Sequence, residues 1–178
     1  MLDLACGTGR IGLWLRRHYS AADIDGVDIT PEMLDVARSR GVYRNLRIAD
    51  VSDTRLPAET YDLCIQSLAD EHVRDLGPLY REVARVTRHE GCFVIVGLHP
   101  QFLMAGVPTH FERAPGDPVT IRSYVHLLSD HVQAARAAGL WLLEMDEGLI
   151  DEAWLQKKPK WEGYFGLPIS FSMVWRQR

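Results

Sequence analysis

The stretch that decides the fold is Leu2-Asp3-Leu4-Ala5-Cys6-Gly7-Thr8-Gly9-Arg10-Ile11-Gly12, a short apolar strand followed by a glycine-rich turn and a helical pattern. Gly7 and Gly9 have no Cβ, so the backbone there can take positive φ and approach a ligand closely. The N–H groups that open the following helix face outward, where they favour negatively polarised ligand groups. The stretch therefore predicts a turn that holds a nucleotide-like cofactor.

The type of cofactor is not decided by this turn alone. Residues 7–12 satisfy G-x-G-x-x-G, the fingerprint of dinucleotide sites, which is a weak signal without further context. The next strand pattern, residues 24–28, ends in Asp28, about 20 residues after the glycines, where a carboxylate accepts hydrogen bonds from ribose hydroxyls. A nicotinamide dinucleotide and S-adenosylmethionine both fit these two features.

Two further carboxylates favour S-adenosylmethionine. Asp3 lies inside the first strand, four positions ahead of Gly7, where the α-ammonium of an aminoacyl ligand needs an anionic partner. Asp50 ends the apolar strand pattern of residues 46–50, in a suitable place to accept a hydrogen bond from an adenine amino group. Each carboxylate alone also fits a structural role in a strand, a turn or a cap. Together and in this order, Asp3, Asp28 and Asp50 favour a site for S-adenosylmethionine.

With these motifs in this order, the chain resembles the class I S-adenosylmethionine-dependent methyltransferases over nearly its whole length. Residues 2–9 are similar to the family's first motif, residues 26–34 to its ribose-binding second motif, and residues 49–51 with 56–57 to its adenine-binding third motif. The later segments 61–65 and 82–92 resemble the fourth strand and the approach to the fifth.

The resemblance implies a set of cofactor-binding residues. It places Asp3 near the methionine amino group, Asp28 on the ribose, and Asp50 with Val51 at the adenine. Ser67 and Leu68, which follow the fourth strand pattern, are expected on the sulfonium side. The full predicted set is Asp3, Ala5, Cys6, Gly7, Thr8, Gly9, Asp28, Ile29, Met33, Asp50, Val51, Ser67 and Leu68.

The order of helix and strand patterns predicts the fold class. Alternation between helical and strand periods is typical of a layered α/β fold. Helical spacing covers residues 76–86 and 121–138, and the uninterrupted apolar run 92–96 predicts a central strand. Residues 169–176 alternate between apolar and mostly polar side chains. Together with the resemblance, this predicts a Rossmann-like, doubly wound, mainly parallel sheet whose antiparallel C-terminal strand is inserted beside the last parallel strand.

The composition bounds the class of protein and its partners. The 178 residues carry a net charge of −4 without a basic stripe, which gives no support for a nucleic acid or an anionic membrane as partner. The three cysteines lack metal-ligand spacing and fit core positions in a reducing compartment. We therefore expect one cytoplasmic domain, residues 1–178, with no metal and no membrane segment, and we allow for a homodimer.

Candidate catalytic residues follow the fourth and fifth strand patterns, because ligands of open α/β sheets bind beyond the carboxyl ends of the strands. His72 and His99 lie there, and an imidazole can take a proton from an acceptor that arrives as a hydroxyl or an activated carbon. A neutral amine can attack without a base. Each histidine also fits a capping or packing role.

Residues 99–120 show no clear period and are rich in Pro, Gly, Phe and Met. Long irregular segments in compact domains often serve as lids or binding loops. We expect this segment to cover the substrate, and its apolar character favours a small organic acceptor over a polyanion. The predicted reaction is methyl transfer from S-adenosylmethionine to a small molecule by in-line displacement.

One feature departs from the family pattern. Members usually carry helices ahead of the first motif, whereas Met1 immediately precedes it here. The expectation is either an N-terminally shortened form or a cover supplied by a partner, a swapped segment or an internal insertion. Two alternative functions stay open, an NAD-dependent oxidoreductase and a non-catalytic cofactor-binding domain of the same fold.

Overall fold

The computed structural model describes residues 1–20, 22–105, 110–114, 117–120 and 122–178, with 110–114 and 117–120 described by their backbone alone. The strands in these ranges are β1 (Leu2–Leu4), β2 (Asp25–Asp28), β3 (Asn45–Ile48), β4 (Tyr61–Ser67), β5 (Thr87–Leu98), β6 (His110–Ala114), β7 (Asp117–Thr120), β8 (Leu140–Leu149) and β9 (Pro168–Gln177). The helices are α1 (Arg10–His18), α2 (Pro31–Ser39), α3 (Leu76–Val86), α4 (Pro100–Met104), α5 (Leu128–Ala137) and α6 (Glu152–Lys157). Short 3-10 turns lie at Asp70–His72 and Pro159–Tyr164.

Seven of these strands form one sheet in the order β3-β2-β1-β4-β5-β9-β8. Neighbouring strands from β3 to β5 pair in parallel, whereas β9 runs antiparallel to both β5 and β8. The predicted α/β class and the antiparallel C-terminal strand beside the last parallel strand are thereby confirmed. The strand predicted to be central, β5, lies next to β4, which is the middle strand.

The strand order reverses between β1 and β4, and this reversal determines where a ligand site forms. The chain moves outward from β1 to β2 and β3, and then returns to β4 on the other side of β1. At such a switch point a crevice opens beyond the carboxyl ends of the strands. The glycine turn follows β1, so the topology places it at this crevice.

Buried side chains pack on both faces of the sheet. Tyr80 of α3 meets the rings of Phe93 and Trp175 edge-on, with ring centroids 5.7 and 5.9 Å apart, an arrangement that aromatic pairs favour. On the opposite face, Leu15 of α1 belongs to a second cluster with Ile65.

Across the described ranges, no helix has both the length and the apolarity to cross a bilayer.

Helix α5 begins later than the sequence pattern predicts. The apolar spacing predicts a helix over residues 121–138, but residues 122–127 are not helical and the helix starts at Leu128. The N–H of Tyr124 instead donates to the carbonyl oxygen of Glu71 at 2.7 Å. The predicted start was wrong because this tertiary contact fixes a non-helical conformation that local spacing does not reveal.

The segment 99–120 is also different from the predicted irregular loop. It contains helix α4 and a two-stranded hairpin formed by β6 and β7, while residues 106–109 and 115–116 lie outside the described residues. Phe102 of α4 packs with Ile150 and Ile169 in a satellite core, and this packing explains a helix that the local pattern does not indicate. The role of the segment as a lid stays a prediction.

Candidate functional site

A cleft of about 630 Å³ opens at the carboxyl ends of β1, β2 and β4, a volume typical of sites for small molecules and cofactors. Nine of the predicted site residues line this cleft: Ala5, Gly7, Asp28, Ile29, Met33, Asp50, Val51, Leu68 and His72. The six that do not line it are Asp3, Cys6, Thr8, Gly9, Ser67 and His99. The structure therefore brings together one residue or more from each of the three motifs and from the end of β4.

Two residues in the left-handed region lie at the mouth of the cleft. Ala5 follows β1 and Leu68 follows β4, and both have a φ of 53°. This conformation costs a residue with a Cβ about 1–3 kcal/mol and persists only where its surroundings impose it. Here the N–H of Cys6 donates to the Val27 carbonyl at 2.9 Å, and that of Leu68 to the Val96 carbonyl at 2.7 Å. Neighbouring strands thus hold both turns in a strained shape that is typical of functional sites.

The Asp28 carboxylate joins the glycine turn to the end of β2. One oxygen accepts the N–H of Gly7 at 2.8 Å, and the other accepts the N–H of Thr30 at 2.8 Å. An ionised carboxylate offers about four acceptor positions, so roughly two remain for donors in the cleft. At Gly7, where φ is 50°, a Cβ would have no atom within 4 Å. The backbone of the turn is therefore open to a ligand beside a carboxylate that can still accept hydrogen bonds.

Exposed apolar side chains form part of the walls of the cleft. Ile29 is 65% exposed and Leu68 is 51% exposed, and Met33 and Val51 also line the cleft. A site with apolar walls and a few placed polar groups suits a ligand that combines a flat apolar part with hydroxyl or amino donors.

Two carboxylates hold the loop after β3: Asp50 at the rim of the cleft and the buried Glu82 on α3. At the rim of the cleft, Oδ1 of Asp50 accepts the N–H and the hydroxyl of Ser52 at 2.8 and 2.6 Å. Further along, Thr54 donates its N–H at 2.9 Å, and also its hydroxyl, to one oxygen of Glu82 on α3. Burial opposes ionisation of Glu82, but hydrogen bonds from Arg85 and Thr54 outweigh it and lower the pKa of Glu82. The loop that carries Asp50 is therefore anchored to α3 through an ionised group.

Tyr43 supports the glycine turn, although no sequence pattern indicates it. A Cβ on Gly12 would lie 2.3 Å from the ring and hydroxyl atoms of Tyr43, and a Cβ on Gly9 would lie 2.9 Å from the ring. Gly12 is therefore needed because the tyrosine ring occupies the space of a side chain. This contact explains the third glycine of G-x-G-x-x-G by packing.

Asp3 lies beneath the turn rather than in the cleft. Its carboxylate accepts the hydroxyl hydrogen bond of Tyr43 at 2.6 Å, and the residue is 1% exposed. Burial raises the pKa of Asp3 to about 7, against the opposing effect of the Tyr43 hydrogen bond. One oxygen of the buried carboxylate is thus engaged by Tyr43, and the predicted contact of Asp3 with a ligand ammonium stays a prediction.

Four more of the predicted cofactor residues do not line the cleft. The carbonyl of Thr8 accepts a guanidinium N–H of Arg40. Gly9 is the N-cap of α1 with a φ of 78°, Cys6 is buried, and Ser67 is the last residue of β4. Any contact that these four residues make with a cofactor stays a prediction.

His72 lines the cleft from the turn Asp70–His72, and its side chain is 33% exposed. Its Nδ1 lies 3.3 Å from the carbonyl oxygen of Arg122. Because a carbonyl oxygen only accepts, this hydrogen bond assigns the proton of the neutral ring to Nδ1 and the lone pair to Nε2. His72 can therefore take a proton at Nε2, as a base requires.

His99 belongs to a structural pair outside the cleft. It precedes α4, and its Nδ1 accepts the N–H of Gln101 at 3.2 Å. Its Nε2 lies 2.7 Å from Oε1 of Glu147 and therefore donates its proton there. Both ring nitrogens are therefore engaged within the protein, and His99 caps α4. Its predicted catalytic role stays a prediction.

Comparison with known proteins agrees with this architecture. A family model described as a methyltransferase domain matches residues 2–95. The solved structure of an S-adenosylmethionine dependent methyltransferase from Mesorhizobium loti matches with a TM-score of 0.77 at 23% identity, and the match covers 98% of this chain and 89% of that one. At this identity the likeness establishes the fold alone.

Curated relatives match parts of the chain at higher identity. Malonyl-[acyl-carrier protein] O-methyltransferase from Halorhodospira halophila is 34% identical over 133 residues, which are 73% of this chain and 43% of the relative. Magnesium-protoporphyrin O-methyltransferase from Rhodobacter capsulatus is 30% identical over 139 residues, which are 74% of this chain and 60% of the relative. The chain spans less than half the length of the malonyl relatives that it matches.

Proposed function

Since this chain belongs to the methyltransferase domain family, we propose that it transfers the methyl group of S-adenosylmethionine to a small organic acceptor by in-line displacement. The observation that carries the proposal is the cleft at the switch point. There the Asp28 carboxylate, the open backbone at Gly7 and the exposed wall of Ile29 lie together. The nicotinamide alternative is disfavoured, because the family model that matches residues 2–95 is a methyltransferase domain.

The residues of the cleft fit S-adenosylmethionine. The free acceptor positions of Asp28 suit the ribose hydroxyls, and Ile29 with Val51 offers apolar surface to the adenine. Asp50 at the rim suits the adenine amino group, and the backbone at Gly7 is open to the methionine part. When bound, this cofactor supplies a methyl group on a positively charged sulfur. The neutral thioether is a good leaving group.

The contribution of the chain itself is mainly alignment. An in-line displacement is accelerated when acceptor and methyl carbon are held in a reactive geometry and water is kept out. The strained backbone at Ala5 and Leu68 fixes the two strand ends between which the reacting atoms would lie. His72, on the wall next to Leu68, takes the acceptor proton at Nε2 when the acceptor arrives protonated.

Oxygen is the acceptor atom that we propose. Two of the relatives are named as O-methyltransferases, one for malonyl-[acyl-carrier protein] and one for magnesium-protoporphyrin. A base in the cleft is also useful to an acceptor oxygen that carries a proton.

The proposed function is tested by incubating the protein with S-adenosylmethionine and a panel of small alcohols, phenols and carboxylic acids. We expect S-adenosylhomocysteine to form together with a product that is heavier by one methylene unit, which mass spectrometry detects. If the protein binds S-adenosylhomocysteine but methylates no acceptor of any class, the non-catalytic alternative is favoured instead.

A further inference from the structure

Strand β8 forms an open edge of the seven-stranded sheet. In the described part of the chain it pairs with β9 alone, and residues 141–149 are all exposed. The unpaired N–H and C=O groups of such an edge are a template on which another chain can pair. Five large apolar side chains of this strand face water: Trp141, Leu142, Leu143, Met145 and Leu149.

The buried apolar layer of the sheet continues onto β8 without a cover. Leu142 pairs with Trp175 of β9, and Met145 pairs with Met173, so each pair lies on one face of the sheet. Trp175 and Met173 are buried, whereas Leu142 is 41% exposed and Met145 is 42% exposed. A further strand beside β8 would therefore cover apolar surface that is now open to water.

The opposite face of β8 is acidic. The register with β9 places Glu144 and Asp146 on the other side of the sheet from Met145. Both acidic residues are exposed. The ion pair that β8 forms within the described ranges is that of Glu147 with His99. The charges of Glu144 and Asp146 are therefore left for a partner.

These two faces define the kind of chain that fits the edge. Successive side chains of a strand point to opposite faces, so every second residue of an added strand would lie beside Leu142 and Met145. The residues between them would lie beside Glu144 and Asp146, where a positive charge stabilises the strand pair and a negative charge destabilises it. The edge therefore fits an extended segment in which apolar residues alternate with Lys or Arg.

A second copy of this chain fits the edge less well. Two β8 strands paired about a two-fold axis through their middle would bring Glu144 and Asp146 close to the same carboxylates of the other copy, which is destabilising. Leu143 has no partner in the register with β9, which marks a bulge, and a bulge interrupts regular pairing. The regular stretch that a partner can follow is residues 144–148.

We propose that the outer edge of β8, at residues 144–148 with Leu142, binds an extended segment of another protein in which apolar and basic residues alternate. Main-chain hydrogen bonds supply affinity in such strand addition, and the alternate side chains supply specificity. Gly148 and Leu98 both pair with Ser170, so β8 and β5 end at the same edge of the sheet. The bound segment reaches the edge at which the cleft opens. The proposal does not rest on methyl transfer.

The test uses the isotope-labelled full chain and a synthetic peptide in which valine alternates with lysine. NMR titration should show saturable shifts of the β8 amide signals, together with slower hydrogen exchange there. One control peptide has glutamate in place of lysine, and a second has methylated backbone nitrogens, which cannot donate hydrogen bonds. Neither should bind. Equal binding of the methylated peptide, or no binding of the lysine peptide, would overturn the proposal.

The charge contribution is tested with a double variant. Glu144→Gln with Asp146→Asn should weaken binding of the lysine peptide about two- to thirtyfold, the range for two cross-strand ion pairs. The matched control is Glu32→Gln with Asp35→Asn on the exposed surface of α2, which should leave the affinity unchanged. Equal weakening in both double variants would show non-specific attraction and overturn the proposal.

The apolar contribution is tested with Met145→Lys, which places a positive charge in the exposed apolar row. This variant should lose the peptide, and an unchanged affinity would contradict the proposed contact. Sedimentation of the unmodified chain tests the other occupant of the edge. A concentration-dependent dimer that Met145→Lys dissociates would assign β8 to a second copy and overturn the proposal.

Discussion

The carboxylate of Asp28 accepts the backbone N–H of Gly7 at 2.8 Å, so the carboxyl end of β2 is bonded directly to the turn that follows β1. Two motifs that are separate in the sequence thus form one wall of the cleft. The same carboxylate keeps acceptor positions for a ligand, and its removal should therefore affect binding.

Asp28→Ala should weaken the binding of S-adenosylhomocysteine by about 1–3 kcal/mol, the range for a lost buried polar partner. Calorimetric titration measures the affinity, and thermal unfolding checks that the variant is folded. Asp35→Ala is the matched control, because Asp35 lies on the exposed face of α2 in a pair with Arg38. Equal affinities for Asp28→Ala and the unmodified chain would remove Asp28 from the site.

Gly12→Ala should destabilise the fold by about 1–3 kcal/mol, the usual cost of overpacking. The new Cβ would lie 2.3 Å from Tyr43, whereas Gly163→Ala places its Cβ where no atom lies within 4 Å. Chemical denaturation compares the two variants. If both unfold at the same denaturant concentration, the Tyr43 ring does not fill the space beside Gly12.

The sequence indicates those parts of the site that local motifs encode. Gly7, Asp28 and Asp50 stand at strand ends with recognisable spacing, and all three line the cleft. The sequence does not indicate the roles of Tyr43 and Glu82, because each contacts a turn or loop that is far away in the sequence. A tyrosine after a helix and a glutamate on an amphipathic helix are typical of ordinary surface positions, and tertiary packing alone reveals their contacts.

The same limit explains the wrong predicted start of α5 and the place of His99 outside the cleft. Residues 122–127 follow helical spacing, but the bond between Tyr124 and Glu71 fixes another conformation. His99 follows the fifth strand, as a cleft residue would, but Glu147 from β8 engages it. In each case the competing partner lies on a different element, which no periodicity of the local sequence can show.

Asp3→Asn should change how stability depends on pH. The folded chain holds the Asp3 proton up to a pKa of about 7, whereas the unfolded chain loses it near pH 4. Between these values the folded state binds more protons, so the Asp3 contribution to stability falls as pH rises. The asparagine cannot ionise, and its side-chain oxygen still accepts the Tyr43 hydroxyl.

The variant should therefore gain stability relative to the unmodified chain as pH rises from 4 to 8, by a few kcal/mol in total. Denaturation of both proteins across this range measures the difference, and groups that titrate equally in the two proteins cancel. A stability difference that does not vary with pH would contradict a raised pKa for Asp3 in the folded chain.

His72→Gln should lower turnover about 10²- to 10⁴-fold, the range for a lost general base. The affinity for S-adenosylhomocysteine should stay nearly unchanged, because the residue acts on the acceptor. His99→Gln is the control, since the partner of His99 is Glu147 outside the cleft. Steady-state kinetics measures the turnover, and calorimetry measures the affinity. Equal turnover of His72→Gln and the unmodified chain would show that His72 is not a base.

The measurement that tests the central claim most directly is calorimetric titration of the chain with S-adenosylhomocysteine, with NAD as the comparison ligand. The arrangement of Asp28, Gly7 and the apolar walls predicts saturable binding of S-adenosylhomocysteine at one site and no binding of NAD. Binding of NAD, or of neither ligand to a chain that is shown to be folded, would contradict the assignment of this cleft.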